Sequence, residues 1–213
     1  METTFSVGGV FKESYAIIKP RFWKVVGQYA LIFVAYFVLR FFSNGNFLLS
    51  IVLSTLLSFI SVVFCLSYIE KGRFAFESIL ETLTFKKFVT LFFAMILAWF
   101  FIIAGLVLLI IPGVIILVQL YFYKYLIVES DVTPMAALKG SRRLTKGNRS
   151  TIFEYILIAI LINILGALCL VVGLFFTIPL TLIGFTLIYK KLAGQMNSGE
   201  EVVEVDIIEV VNE

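Results

Sequence analysis

The sequence predicts an all-α integral membrane protein with six transmembrane helices in three hairpins. Of its 213 residues, 61% are hydrophobic and 15% are charged, and the mean hydropathy is +1.07. A soluble domain of this size exposes much of its surface to water, so it could not bury so many apolar side chains. The apolar residues also form blocks that are one or two membrane crossings long, with basic residues at their flanks. These observations indicate that the chain folds in a bilayer.

The first two crossings are predicted at residues 23–42 and 47–69. Each is long enough for a hydrocarbon core of about 30 Å, because a helix rises about 1.5 Å per residue. A polar turn at residues 43–46 separates the two spans.

The apolar block at residues 88–128 is predicted to be a hairpin. Its 41 residues would make a helix of roughly 62 Å, about twice the thickness of the hydrocarbon core. Gly105 and the Pro112-Gly113 pair are the helix breakers near its middle. The reversal is therefore expected between them, with Pro112 near the start of the returning helix.

Residues 150–192 form a second block of this kind. The block is again about two spans long, and Gly166, Gly173 and Pro179 are its helix breakers. These two spans complete the predicted six. The acidic tail at residues 193–213 is expected to be disordered, with a fold back onto the basic face or a short strand that needs a partner as alternatives.

The stretch PMAALKGSRRLTKG at residues 134–147 is predicted to be an amphipathic helix. Thr133 suits the N-cap, Pro134 suits the first helical position, and Gly147 suits a left-handed stop after the last turn. The apolar face holds Ala137, Leu138, Ser141, Leu144 and Thr145, and the basic face holds Lys139, Arg142, Arg143 and Lys146. With this periodicity we expect the helix to lie flat on the membrane.

The same design occurs twice earlier in the chain. Residues 1–20 form an amphipathic segment with Ser6 as its N-cap and Pro20 at its end, and another such segment follows residue 73. Each amphipathic segment precedes a pair of spans. The sequence therefore predicts three repeats, at about 5–69, 74–128 and 133–192, with pseudo-threefold symmetry.

Basic residues fall almost entirely on one side of the predicted spans. Arg40 is the exception, since it lies near a turn on the other side. The positive-inside rule then predicts that the basic side is cytoplasmic, with both termini inside the cell membrane.

The run ALKGSRRLTKG at residues 137–147 follows the Pro112-Gly113 break and Val128-Glu129. With them it resembles the membrane domain attached to some bacterial glycerophosphodiester phosphodiesterases, and a group of six-span prokaryotic proteins built from that domain alone. The resemblance covers about residues 5–192 and implies a six-span membrane domain. The catalytic domain of the fused enzymes relies on histidines and acidic metal ligands, and this chain has no histidine, so the resemblance does not extend to that activity.

Several polar residues lie within the predicted spans. They could serve close helix packing, with hydroxyl groups bonded to backbone, or they could form a polar path across the membrane. These residues are Ser50, Ser54, Ser58, Ser61, Gln28, Gln119 and Asn163.

The sequence holds no motif for catalysis, for a metal or for a cofactor. Without histidine it has no Ser-His-Asp triad and no histidine metal site, and it has no phosphate-binding glycine loop. We therefore expect a non-enzymatic structural or accessory membrane protein that binds no nucleic acid, with a membrane-protein partner or a homo-oligomer as further options. Its basic face is expected either to engage anionic lipid headgroups or a partner, or to serve only as the positive charge that sets the topology. The residues of this face are Lys139, Arg142, Arg143, Lys146 and Arg149. The alternative is a transporter or translocator of small solutes or lipids.

Overall fold

The computed structural model describes residues 5–42, 46–72, 82–168 and 173–199. Its helices are α1 (Val7–Ile18), α2 (Phe22–Phe42), α3 (Phe47–Lys71), α4 (Phe85–Leu108), α5 (Ile110–Leu120), α6 (Tyr123–Glu129), α7 (Pro134–Leu144), α8 (Arg149–Leu168) and α9 (Leu174–Gly199), with a 3₁₀ turn at Lys19–Arg21. Three predictions concern segments outside the described residues. These are the polar turn at 43–45, the amphipathic segment at 73–81 and the acidic tail from residue 200.

Six helical segments in the described part of the chain are long and apolar enough to cross a membrane. Large apolar side chains are exposed along them, among them Leu31 at 71% and Phe100 at 67%. Such surface requires a lipid solvent. The predicted all-α membrane fold with six spanning helices is confirmed.

The chain divides into two compact units. Unit 1 comprises Met1–Phe5, Leu83–Phe153 and Ile188–Glu213, and unit 2 comprises Ser6–Thr82 and Glu154–Leu187. The unit boundaries cut through α8 and α9, so each of these helices contributes to both units.

In unit 1, α4 and α5 form the hairpin predicted from their breakers. The chain reverses at Leu109, whose backbone is extended and whose N–H donates to the carbonyl of Gly105 at 3.1 Å. A Cβ atom on Gly105 would lie 3.0 Å from Cα of Gly113, and one on Gly113 would lie 2.8 Å from the backbone nitrogen of Leu106. The two helices can therefore approach this closely only because both positions are glycine. Pro112 is the third residue of α5, where a missing N–H costs no helical bond.

In unit 2, α1 leads into α2 without a loop. Ser6 caps α1, since its hydroxyl accepts a hydrogen bond from the N–H of Gly9 at 3.2 Å. Pro20 lies in the 3₁₀ turn that joins the two helices, so α1 ends before the proline. The apolar core of this unit contains Ile18, Val25, Tyr29, Phe64, Cys65, Tyr68, Leu180 and Ile183.

Pro179 was predicted to break the last apolar block, and that prediction is wrong. It lies inside α9, which begins at Leu174. The carbonyl of Gly173, just before the helix, accepts from the N–H groups of Phe176 and Thr177 at 3.1 and 2.9 Å. Pro179 lies after the first turn and removes only one bond within the helix, as membrane helices tolerate. The helix also continues past Leu192, the predicted end of the membrane domain, to Gly199.

Candidate lipid-headgroup face

The ends of α7 follow from its sequence. The hydroxyl of Thr133 accepts a hydrogen bond from the N–H of Ala136 at 3.3 Å, and Pro134 is the first helical residue. Beyond the last turn, Gly147 has a φ of +91°, a left-handed conformation that favours glycine. The predicted N-cap and first helical residue are thus confirmed, whereas the helix ends earlier than predicted, at Leu144 with Thr145 as its C-cap.

The apolar face of α7 is buried against protein. Ala137, Leu138, Ser141, Leu144 and Thr145 are all buried, and α7 packs on α4, α5 and α6 of the same unit. This face therefore contacts protein, and the expectation that the helix lies flat on the membrane stays a prediction. A periodic apolar face predicts that one side of a helix is shielded from water, and here α4, α5 and α6 shield it.

Ser141 is the polar residue at the centre of this buried face. Its hydroxyl donates to the carbonyl of Gln119 at 2.8 Å and accepts from the N–H of Phe122 at 3.1 Å. Gln119 and Phe122 flank the break between α5 and α6, where the backbone loses helical partners. Ser141 therefore satisfies two backbone groups that would otherwise be buried without bonds. The sequence pattern placed Ser141 on the apolar face but gave no sign of this role.

The basic face of α7 is exposed. Lys139, Arg142, Arg143 and Lys146 all point away from the packed face, and none of them pairs with a carboxylate among the described residues. Arg142 and Arg143 lie in the last turn, where a positive charge also interacts favourably with the helix dipole. The structure therefore gathers four of the five predicted binding cations on one face.

The fifth predicted cation, Arg149, lies apart from that face. It is the first residue of α8 and is only partly exposed, and its Nε atom is buried with no hydrogen-bond partner among the described residues.

Two carboxylates of unit 1 are already neutralised by other cations. Lys86 contacts Asp131 at 2.9 Å, and Lys190 contacts Glu129 at 2.6 Å. The hydrogen bond from Lys86 holds the pKa of the exposed Asp131 carboxyl below its ordinary value. The positive charge of α7 is therefore not offset by these two acids.

Glu129 also anchors an aromatic cluster. Tyr189 donates its hydroxyl hydrogen to Glu129 at 2.5 Å, and its ring stacks on that of Tyr125 with centroids 5.0 Å apart. Tyr123 and Tyr125 are buried in this unit. The cluster ties α6 to α9, and Lys87 of α4 donates to the carbonyl of Val128 at 2.8 Å.

The polar residues predicted within the spans do not come together in one site. Ser50 and Ser54 donate to backbone carbonyls of their own helix, at 2.7 and 2.9 Å, and Ser61 shares a hydrogen bond with Tyr29. These bonds are the kind that close helix packing uses. Ser58 lies on the same helix and is half-buried.

The three amides are likewise dispersed. Gln28 accepts from the hydroxyl of Tyr68 at 2.6 Å, and Asn163 donates to Thr181 at 3.3 Å. Gln119 is buried in unit 1, whereas Gln28 and Asn163 belong to unit 2. Of the seven residues, Gln28 lines a cavity of about 460 Å³ between α2 and α3.

The fold and the exposed basic helix define a multi-pass α-helical membrane protein. Within the described residues, no group of three or more His, Cys, Asp or Glu side chains could hold a metal ion. The chain belongs to the family described as Domain of unknown function (DUF7847), whose model matches residues 41–211. Neither a curated protein nor a solved structure matches the chain significantly.

Proposed function

We propose that this protein is a non-enzymatic component of the cell membrane whose α7 helix binds anionic lipid headgroups on the cytoplasmic side. The observation that carries the proposal is the set of four exposed cations on α7 and the turn that follows it, which have no carboxylate partner among the described residues. Each lysine or arginine near an anionic membrane surface contributes about 1 kcal/mol of binding free energy.

The packing of α7 holds the helix that carries the cations in one place on the protein. Its buried face and the two hydrogen bonds of Ser141 hold the helix in one orientation, so the backbone positions that carry its cations are fixed. A preorganised face loses little conformational entropy when it binds headgroups. A basic segment that only directs membrane insertion needs no such packing.

The test is the lipid preference of the full-length protein in vesicles of phosphatidylcholine and phosphatidylglycerol. Spin-labelled forms of both lipids report their relative affinity for the protein surface. Replacing Arg142 and Arg143 by glutamine should reduce the preference for phosphatidylglycerol by roughly 5- to 30-fold, given about 1 kcal/mol per cation, and the wild-type preference should weaken with added salt.

The matched control removes two exposed lysines from unit 2, through Lys12→Gln and Lys19→Gln. This variant loses the same charge and should keep most of the preference for phosphatidylglycerol. An equal loss in both variants would mean that net charge alone attracts the lipid, and no loss in the Arg142 and Arg143 variant would refute the proposal.

Translocation of lipids or small solutes is the second candidate. The cavity between α2 and α3 supports it, because Gln28 adds a polar group to an otherwise mostly apolar groove open to the membrane. The serines do not support it, since Ser50 and Ser54 use their hydroxyl hydrogens within α3. If fluorescent lipid crosses reconstituted vesicles, Ala35→Trp in this groove should slow the transfer.

The link to the membrane domain of glycerophosphodiester phosphodiesterases stays a prediction. It depends on the run at residues 137–147, which supplies the serine and the cations of α7. If that run binds phosphate-bearing headgroups here, we expect the same of the phosphodiesterase membrane domains that it resembles.

A further inference from the structure

A second cavity lies in unit 1, along α5 and beside the first turn of α8. Its volume is about 400 Å³, within the range of about 300–1,000 Å³ typical of ligand pockets. The wall on α5 is entirely aliphatic and includes Ile111, Ile115 and Val118, while α8 contributes Arg149, Ser150 and Phe153.

Among the described residues that line this cavity, Arg149 is the one that carries a charge. Its Nε atom is buried and finds no hydrogen-bond partner among the described residues. The guanidinium group stays protonated in proteins, so burial cannot make it neutral. Because this buried N–H belongs to a cation and has no partner, it favours an anionic ligand in the cavity.

The backbone beside Arg149 favours the same kind of ligand. The first hydrogen bond of α8 runs from the N–H of Ile152 to the carbonyl of Asn148, at 3.0 Å. The N–H groups of Arg149, Ser150 and Thr151 therefore precede the hydrogen-bonded ladder, at the positive end of the helix dipole. This arrangement is a common binding site for phosphate groups.

The aliphatic wall distinguishes a lipid from a free anion. Along α5 it extends from Ile110 to Val118, which is about 12 Å at the helical rise and a little under half of a hydrocarbon core of about 30 Å. A free phosphate would gain nothing from such a wall, whereas an acyl chain in one leaflet would cover it.

We propose that this cavity binds one membrane phospholipid. Its phosphate contacts Arg149 and the N-terminal N–H groups of α8, and one acyl chain lies along α5 against Ile115 and Val118. The site differs from the exposed face of α7, since it holds a single lipid and does not need the net negative charge that the α7 face prefers. The phospholipid site at Arg149 can therefore exist even if α7 does not bind anionic headgroups.

The test is native mass spectrometry of the full-length protein, purified with a mild detergent and then given phosphatidylcholine. Wild-type protein should retain one phospholipid. Retention should fall at least fivefold in Arg149→Gln, which removes the charge, and in Ile115→Trp, which fills the aliphatic groove, while Arg149→Lys should restore part of it.

Two variants serve as matched controls. Leu161→Trp adds the same ring to an exposed site on α8 in unit 2, and Lys12→Gln removes one exposed cation from α1 in unit 2; both should retain the lipid. Melting temperatures of all variants identify any that fail to fold.

Three outcomes would overturn the inference. The first is equal retention in wild type and Arg149→Gln. The second is displacement of the lipid by inorganic phosphate alone, since it would identify a simple anion site. The third is a wild-type protein that retains no lipid but forms dimers through α5, because a second copy would then cover the groove.

Discussion

Ser141 shows how one side chain determines the position of a whole helix. It lies on the apolar face of α7, is fully buried, and bonds to both sides of the break between α5 and α6. An alanine there would preserve the amphipathic pattern but leave the carbonyl of Gln119 and the N–H of Phe122 without these partners. The identity of this residue therefore matters more than its hydropathy.

Replacement of Ser141 by alanine should destabilise the protein by about 1–3 kcal/mol, the usual cost of leaving a buried polar group unsatisfied. Chemical unfolding in detergent, followed by circular dichroism, measures the change. Ser130→Ala, at an exposed serine of the same unit, is the control and should change the free energy of unfolding little. Equal effects of the two substitutions would show that the bonds of Ser141 contribute nothing measurable.

The contact between Lys86 and Asp131 predicts a specific pH dependence. The hydrogen bond from Lys86 lowers the pKa of Asp131 below 3.8, so the folded state favours the ionised carboxyl. Its contribution to stability is therefore present above the ordinary carboxyl pKa and is lost as the pH falls through the lower folded value. A carbon-detected NMR titration of Asp131 should give a pKa below 3.8 that rises towards the ordinary value in Lys86→Gln. An unchanged pKa in that variant would contradict the assignment.

Among the elements, the hairpin of α4 and α5 depends most on small residues. Gly105 and Gly113 face each other across it so closely that neither has room for a Cβ atom. In unit 2, a Cβ atom on Gly166 would lie 2.5 Å from the hydroxyl oxygen of Thr177, where α8 and α9 approach. Close approach through glycine is a common way to pack helices in a membrane, where the hydrophobic effect gives no drive for association.

Gly113→Ala should open or strain the α4–α5 hairpin, at a cost of about 1–3 kcal/mol from overpacking. The control is Gly27→Ala in α2, where a Cβ atom would have nothing within 4 Å. That substitution should be neutral or slightly stabilising, because alanine favours a helix over glycine by about 0.5–1 kcal/mol. Melting temperatures of both variants in detergent separate these effects. A Gly113 variant as stable as the Gly27 variant would show that the close approach is not required.

At the scale of single helices, the sequence predicted where a helix begins and ends better than it predicted what packs against its faces. The caps of α7 and the reversal near Leu109 follow from local chemistry, since Thr133, Pro134, Gly147 and Gly105 act within a few residues of their own positions. Whether protein or lipid covers the apolar face of α7 depends on helices distant in the chain, and periodicity carries no information about them. Composition likewise does not tell whether a proline ends a membrane helix or lies inside one, as Pro179 does.

For the whole molecule, the distribution of charge is the most informative property. In unit 1 Lys86 and Lys190 pair with Asp131 and Glu129, whereas the cations of α7 have no carboxylate partner within the described chain. The sequence predicted that all five cations lie on one basic face, and nothing in it indicated that Arg149 would lie apart from the other four. That separation arises because Arg149 begins a spanning helix beside the aliphatic wall of α5.

We propose that the basic face of α7 and the reversal at Leu109 lie on opposite sides of the cell membrane, with α7 in the cytoplasm. Cysteines placed singly at Arg142 and Leu109, in a chain whose own cysteines are replaced by alanine, can be probed with a membrane-impermeant maleimide. We expect the cysteine at position 109 to react in intact cells and the cysteine at position 142 to react only after the membrane is permeabilised. Reaction of both from the same side, or protection of position 109 from both sides, would contradict the account.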